Sequence, residues 1–330
     1  MDYQPLGATG LKISRLVLGC GNFGGIGSAP EFYGLGEDEA QACALMDRAL
    51  EAGINVFDTA DAYGGGRSEA SIGRWLASRG SRARGRVLVS SKVFNPVGPG
   101  PNDRGLSRRR ILTQVEASLR RLQTDRLDMY LIHEPDPGTP LDETLSALDD
   151  LVRAGKVLYI GASNIEAWRL TRALGISDAR RRSRFRWVQN AYSLLDRTAE
   201  REMFPLCADQ ALGFTAFSPL AGGWLTGKYQ AGRAFPTGSR MTLRPEPYRH
   251  LINDAVFRGL AALGDEARAR GVEMSALALA WALTHPRMTA AIVGPRRPAQ
   301  LEAAIAALDI RLDQSERARL AGLFSPEPVP

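Results

Sequence analysis

Four side chains able to give or take a proton stand at the ends of short apolar runs: Asp58 and Tyr63 after NVFDTA, Lys92 near the end of VLVSSKV, and His133 closing LDMYLIH. A carboxylate, a phenol, an amine and an imidazole brought to one point make acid–base chemistry available. Each has a plainer explanation when taken alone. A lysine at a strand end can snorkel, an aspartate in FDTAD can cap a helix, and a tyrosine can lie on the surface. Four such residues on three successive runs call for a common explanation. Metal chemistry is not expected, because His133, His250 and His285 are scattered and show no HExxH spacing. Cys20, Cys43 and Cys207 are equally far apart, which argues against a CxxC site or a disulfide framework and for small buried side chains.

The elements that would position these residues follow from periodicity. Runs rich in Val, Ile and Phe at 16–20, 55–60, 87–93, 127–133, 157–163, 187–192, 214–220 and 289–294 alternate with stretches of helical period. One such stretch ends at Gly53 and another opens on Ser107, as a helix C-terminus and an N-cap should. Eight βα units predict an α/β fold, a (β/α)8 TIM barrel, in which strand C-termini converge on one pocket. Residues 3–14 read as an N-terminal hairpin closing the barrel's lower end, 313–324 as a C-terminal extra helix, and SPEPVP as a frayed end. The Gly- and Pro-rich stretch 221–250 falls between the last two strands and reads as a functional loop, so residues 1–330 are expected to form a single domain. Gly19-Cys20-Gly21-Asn22-Phe23-Gly24 matches GxGxxG after a strand, but glycines and Pro30 follow and helical period resumes only near Asp38. It reads as a loop on the pocket face rather than a Rossmann turn.

The stretches NVFDTADAYGGGRSE, SSKV, LIHEPD, GASN, VQNAYSLLDR and AFSPLAGGWLTGKY, in that order, resemble the signatures of the aldo-keto reductases, in particular the longer-chain branch that includes potassium-channel β subunits. The resemblance runs from near residue 5 to 305. It implies reduction of an aldehyde or ketone by hydride transfer, with Asp58, Tyr63, Lys92 and His133 as a catalytic tetrad. Tyr63 would be the general acid. A free phenol has a pKa of about 10, and a nearby Lys92 cation would favour its ionised form. Asp58 would hold Lys92 charged, and His133 would donate to the substrate oxygen or modulate the Tyr63 proton. The same likeness implies a second function class, a cofactor-binding regulatory subunit.

The resemblance also implies a nicotinamide dinucleotide, with Ser163, Asn164 and Gln189 on its carboxamide, Phe217 against its ring, and Ser218, Leu220, Gly222 and Leu225 along the pyrophosphate. Gly294, Arg296 and Arg297 precede a helix beginning near Pro298. Two guanidinium groups there suit the 2′-phosphate of NADP(H), with Gln300 beside them. One segment departs from the family: Gln300-Leu301-Glu302 is followed by Ala303-Ala304, where a Glu-Asn pair would contact adenine. Phe23, Phe94 and Trp224 are expected to line an apolar mouth with Tyr63 and His133, rimmed by segments 26–36 and 94–106, suited to a small-molecule carbonyl.

Composition narrows the alternatives. The chain has 330 residues, 44% of them hydrophobic, and no long apolar run or basic leader, so neither a membrane partner nor export is expected and the cytoplasm is the default. A net charge of +6 invites a nucleic-acid reading. The arginines at 180–182, 184 and 186, however, precede the sixth run and belong to the face opposite the pocket. They read as a solvated loop, and no nucleic-acid partner is expected.

Overall fold

The computed structural model describes residues 1–324, the side chain of Arg82 apart; the frayed end expected at 325–330 lies outside them. Two short strands, β1 (Tyr3–Pro5) and β2 (Lys12–Ser14), pair antiparallel as expected. Gly7 turns between them at φ 55°, where a Cβ would meet the backbone of Gly213 and Arg186 at 2.6–2.7 Å. Only glycine lets the hairpin lie this close against the barrel.

The eight apolar runs become eight parallel strands: β3 (Leu16–Gly19), β4 (Val56–Asp58), β5 (Leu88–Val93), β6 (Leu127–Ile132), β7 (Val157–Ser163), β8 (Trp187–Ala191), β9 (Gly213–Phe217) and β10 (Ala290–Val293). β10 pairs with both β9 and β3, which closes the sheet into a barrel. Helices α1 (Glu39–Glu51), α2 (Arg67–Arg84), α3 (Arg108–Leu122), α4 (Leu141–Arg153), α5 (Ala167–Ala179) and α6 (Met203–Asp209) connect successive strands. Asp38 and Gln41 form a capping box at the start of α1, and Ser107 accepts from the Arg110 amide at 3.3 Å at the start of α3. Gly53, at φ 84°, follows the end of α1.

The long segment between β9 and β10 is more ordered than a plain loop. It carries a six-residue 3-10 segment (Ala221–Thr226), the short helix α7 (Arg240–Leu243), a second 3-10 segment (Glu246–Leu251), then α8 (Asp254–Ala269) and α9 (Met274–Leu283). Every residue of α9 from Ala276 to Leu283 is buried, because α9 packs against β10 with α8 and the following helix α10 (Pro298–Ala306) beside it. The extra helix, α11 (Gln314–Gly322), opens on a capping box between Asp313 and Glu316. No helix among the described residues is long and apolar enough to cross a membrane.

Strand alternation divides the core in two. Outward residues such as Phe57, Val89, Tyr130, Ile160, Val188 and Ala216 join the large core under the helices. Inward residues Val17, Val56, Met129, Leu131, Trp187, Ala290 and Ile292 form a separate cluster inside the barrel, with Leu6 and Ile13 of the hairpin closing its lower end. Trp187 fills the space that Gly161 leaves, and a Cβ at Gly161 would lie 2.7 Å from the indole. Gly161→Ala should therefore destabilise the barrel by about 1–3 kcal/mol through overpacking, read as a lower urea midpoint with an unchanged m-value.

Candidate active site

Following the inward alternation one step further up each strand leads from hydrocarbon to polar groups. Val56 is succeeded by Asp58, Leu88 by Ser90 and Lys92, Met129 and Leu131 by His133, Gly161 by Ser163, and Trp187 by Gln189. The barrel thus brings Asp58, Lys92 and His133 to its upper end by register, with Asp58 opposite Ser90 and Ser163 opposite Gln189. Tyr63 arrives differently. It opens a single turn (Tyr63–Gly66) in which Gly64, Gly65 and Gly66 all take positive φ, and this sharp reversal turns the chain into α2.

Lys92 Nζ donates to Asp58 Oδ1 and, at 2.8 Å, to the Thr59 carbonyl. Asp58 Oδ2 accepts from Ser90 Oγ at 3.0 Å and from Gln189 Nε2 at 2.9 Å. Neither member of the pair exposes more than 6% of its side chain. Above it, the Lys92 ammonium lies 5.1 Å from the centroid of the Tyr63 ring. Tyr63 Oη is 3.4 Å from His133 Nε2, and the two rings meet edge to face. All four expected side chains are therefore in one cluster.

Burial opposes charge on each of these groups, and the neighbours decide the outcome. For Lys92, burial acts to lower the pKa, but Asp58 and Tyr63 outweigh it and hold the amine above 10.5. Burial pushes the Tyr63 phenol above 10, and the Lys92 cation only partly offsets this. Lys92 acts in the expected direction, yet burial wins. Burial, joined by repulsion from Lys92, drives His133 well below 6.5, so its imidazole is neutral.

Asp58, Tyr63 and His133 face a cavity of about 560 Å³. Its inner end is lined by Ser163, Asn164, Gln189 and Phe217, and Ser218, Leu220 and Gly222 continue along it to Gly294, Arg296 and Gln300. Ala303 and Ala304 also line it, with no polar side chain to offer there. Leu225 is fully buried and Arg297 is exposed to solvent; neither belongs to the lining.

The aromatic mouth needs correction. Phe23, Phe94 and Trp224 do not line the cavity, because each is drawn into the core. Trp224 is packed among Tyr229, Phe235 and Phe257, while Arg104 lies over Phe94. Gly21, Asn22 and Ile26 stand at the wall instead.

Residues 228–248 supply functional groups that strand-end reasoning misses. Lys228, Arg240 and Tyr248 line the cavity, with Tyr248 Oη 3.1 Å from Ser218 Oγ and its ring in the space left by Gly222. Burial lowers Lys228, and the cations of Arg240 and Arg296 lower it further, which places three positive groups near one another. Arg296 is held by Glu37 at 2.7 Å, whereas Lys228 and Arg240 have no ion-pair partner among the described residues. The available signal was a pair of cations inside a glycine-rich loop after a barrel strand.

Comparison with known proteins gives the family. Residues 15–324 match the model of the aldo/keto reductase family. The chain is 41% identical to an uncharacterised oxidoreductase, YrpG, of Bacillus subtilis, covering 98% of this chain and 96% of that protein. It is 36% identical to a probable voltage-gated potassium channel subunit beta of Arabidopsis thaliana (94% and 92% covered) and 33% identical to versiconal hemiacetal acetate reductase of Aspergillus parasiticus (100% and 98%). With a closed eight-stranded barrel, the four polar groups at its upper end and a family match over nearly the whole length, the chain belongs to the aldo/keto reductase family.

Proposed function

We propose that this protein is a cytoplasmic NADPH-dependent reductase that converts a small aldehyde or ketone to its alcohol, with Tyr63 as the general acid. The observation that carries this reading is the buried Asp58–Lys92 pair set directly beneath a protonated phenol and a neutral imidazole at the floor of a large cavity. The donor set fits a nicotinamide dinucleotide: amides and a hydroxyl at the inner end, glycine backbone midway, and the cations Lys228, Arg240 and Arg296 at the outer end. Held there by these residues, a reduced nicotinamide would supply hydride for the carbonyl carbon.

The chain's own residues then handle the charge that develops on oxygen. Tyr63 gives its proton to that oxygen, and Lys92 stabilises the phenolate left behind. His133 Nε2 is within reach of the same oxygen as a hydrogen-bond donor. Gln189, Asn164 and Ser163 would hold the carboxamide, and Lys228, Arg240 and Arg296 the 2′-phosphate.

Tyr63→Phe should lower kcat for reduction by about 10²–10⁴-fold and leave NADPH binding, followed by fluorescence, nearly unchanged; retained turnover would refute the assignment. Lys228→Ala or Arg240→Ala should weaken NADPH by about 10–100-fold, the loss of a hydrogen bond to a charged group, and weaken NADH much less. Equal affinity of the unmodified protein for the two cofactors would count against the NADPH reading. The pH profile has a definite sign. Reduction needs Tyr63 protonated, and its pKa lies above 10, so kcat/KM should fall only on the alkaline side of that value. His133 stays neutral down to well below 6.5, so no acid limb is expected at 6.5.

A second reading, a cofactor-binding regulatory subunit, draws on the 36% identity to the plant protein named as a potassium channel subunit. Tight NADPH binding with no turnover across a panel of aldehydes and ketones would favour it.

A further inference from the structure

A neutral histidine has one ring proton to divide between two nitrogens, and the partner of one nitrogen decides the state of the other. His133 Nε2 faces Tyr63 Oη at 3.4 Å, on the cavity side. Nδ1 points away from it and lies 3.1 Å from Asn95 Nδ2. We propose that Asn95 is a positioning residue: its amide donates to His133 Nδ1 and so keeps the ring proton on Nε2, beside the reacting oxygen.

The Asn95 amide turns its nitrogen toward the ring, and Ser28 Oγ, 3.5 Å from the same Nδ2, is a second group that this nitrogen can donate to. His133 is also anchored through its main chain. Its backbone amide donates to the Val93 carbonyl at 2.9 Å, and its carbonyl accepts from Asn164 Nδ2 at 3.0 Å. The titratable groups that face the ring are Lys92 and Tyr63; neither is a carboxylate able to draw a proton onto Nδ1.

Asn95 is held in register with Tyr63 by a single guanidinium. Arg110 Nη2 donates to the Asn95 carbonyl at 3.1 Å and to Asp61 Oδ2 at 2.7 Å, and the Arg110–Asp61 pair is buried. Asp61, two residues before Tyr63, also donates its backbone amide to the Lys92 carbonyl at 3.1 Å. The turn that carries Tyr63 and the segment that carries Asn95 therefore share one buried anchor. The tautomer matters because an unprotonated Nε2 would accept the Tyr63 hydrogen and hold back the proton that the product oxygen needs. A protonated Nε2 donates to that oxygen instead.

The kinetic consequence rests on the reductase reading above; the tautomer does not. Long-range ¹H–¹⁵N spectra of histidine-labelled protein resolve only three rings, those of His133, His250 and His285, which can be assigned by replacing the latter two with Gln. His133 should show a protonated Nε2 and an unprotonated Nδ1. Asn95→Asp, similar in shape but without the donor, should place a proton on Nδ1. Asn95→Leu should lower kcat about 10–100-fold, as loss of a histidine's orienting partner commonly does, with NADPH affinity retained as the control for folding. A protonated Nδ1 in the unmodified protein, an Asn95→Asp spectrum that does not change, or full kcat in Asn95→Leu would each overturn the proposal. An unmodified protein with the expected nitrogen pattern but no carbonyl turnover would defeat the reductase reading and sustain the assignment of Asn95 to the tautomer.

Discussion

The ion pair between Lys92 and Asp58 is the interaction on which the upper end of the barrel depends. A lone ammonium removed from water at this depth would lose its proton. Here it is kept by a carboxylate, a carbonyl and a phenol, while Asp58 satisfies its second oxygen with Ser90 and Gln189. The pair thereby ties β4, β5 and β8 together. Buried ion pairs are seldom better for stability than the apolar residues that could replace them, whereas removing one partner from such a pair costs about 3–5 kcal/mol. Stability alone gives no reason for this arrangement; the field that it creates at Tyr63 and His133 does.

Burial separates the states of the two rings, while Lys92 acts downward on both. Two titratable groups in one pocket are pushed in opposite directions, the phenol up and the imidazole down. Both end in the neutral, proton-bearing state over the whole physiological range, although one is held there by burial against the pull of Lys92 and the other by burial with the help of Lys92. Pairs of groups driven apart in this way mark acid–base assignments. On the reductase reading proposed above, the price would be a weaker acid than a phenol with a depressed pKa, and the stabilisation of the phenolate by Lys92 would matter most as the proton leaves.

Strand alternation made much of this legible. Asp58, Lys92 and His133 share the inward parity of Val56, Leu88 and Leu131, so the sequence pattern that predicts the barrel also predicts their convergence. Tyr63 lies five residues beyond its strand, on a turn with three positive-φ glycines, and no periodicity reaches it; only the likeness of NVFDTADAYGGG to a family motif did. The aromatic residues were misjudged for a related reason. Size and polarity say that Phe23 and Trp224 seek cover, not whether the cover is a binding cavity or the core, and Trp224 finds it among Tyr229, Phe235 and Phe257. Lys228, Arg240 and Tyr248 leave only the faint signal of cations in a glycine-rich loop, because loop residues reach the cavity through the path of the chain, which leaves no repeat to read.

The surplus of positive charge now divides by location. On the face opposite the cavity, Arg180 and Arg182 share Asp142, and Arg184 meets Asp178 and the Gln210 amide, so two carboxylates offset part of the charge of three arginines. At the cavity the balance is different. Glu37 is almost wholly buried and engages Arg296, leaving that guanidinium partly compensated before any ligand arrives. Lys228 and Arg240 carry no such compensation, and burial already disfavours their charge. On the cofactor reading, Lys228 and Arg240, which line the cavity beside Arg296 without a carboxylate partner among the described residues, would gain more from an incoming phosphate than Arg297, which stands outside the lining. On the cofactor reading proposed above, phosphate recognition would fall more to the loop between β9 and α8 than to the pair of arginines after β10.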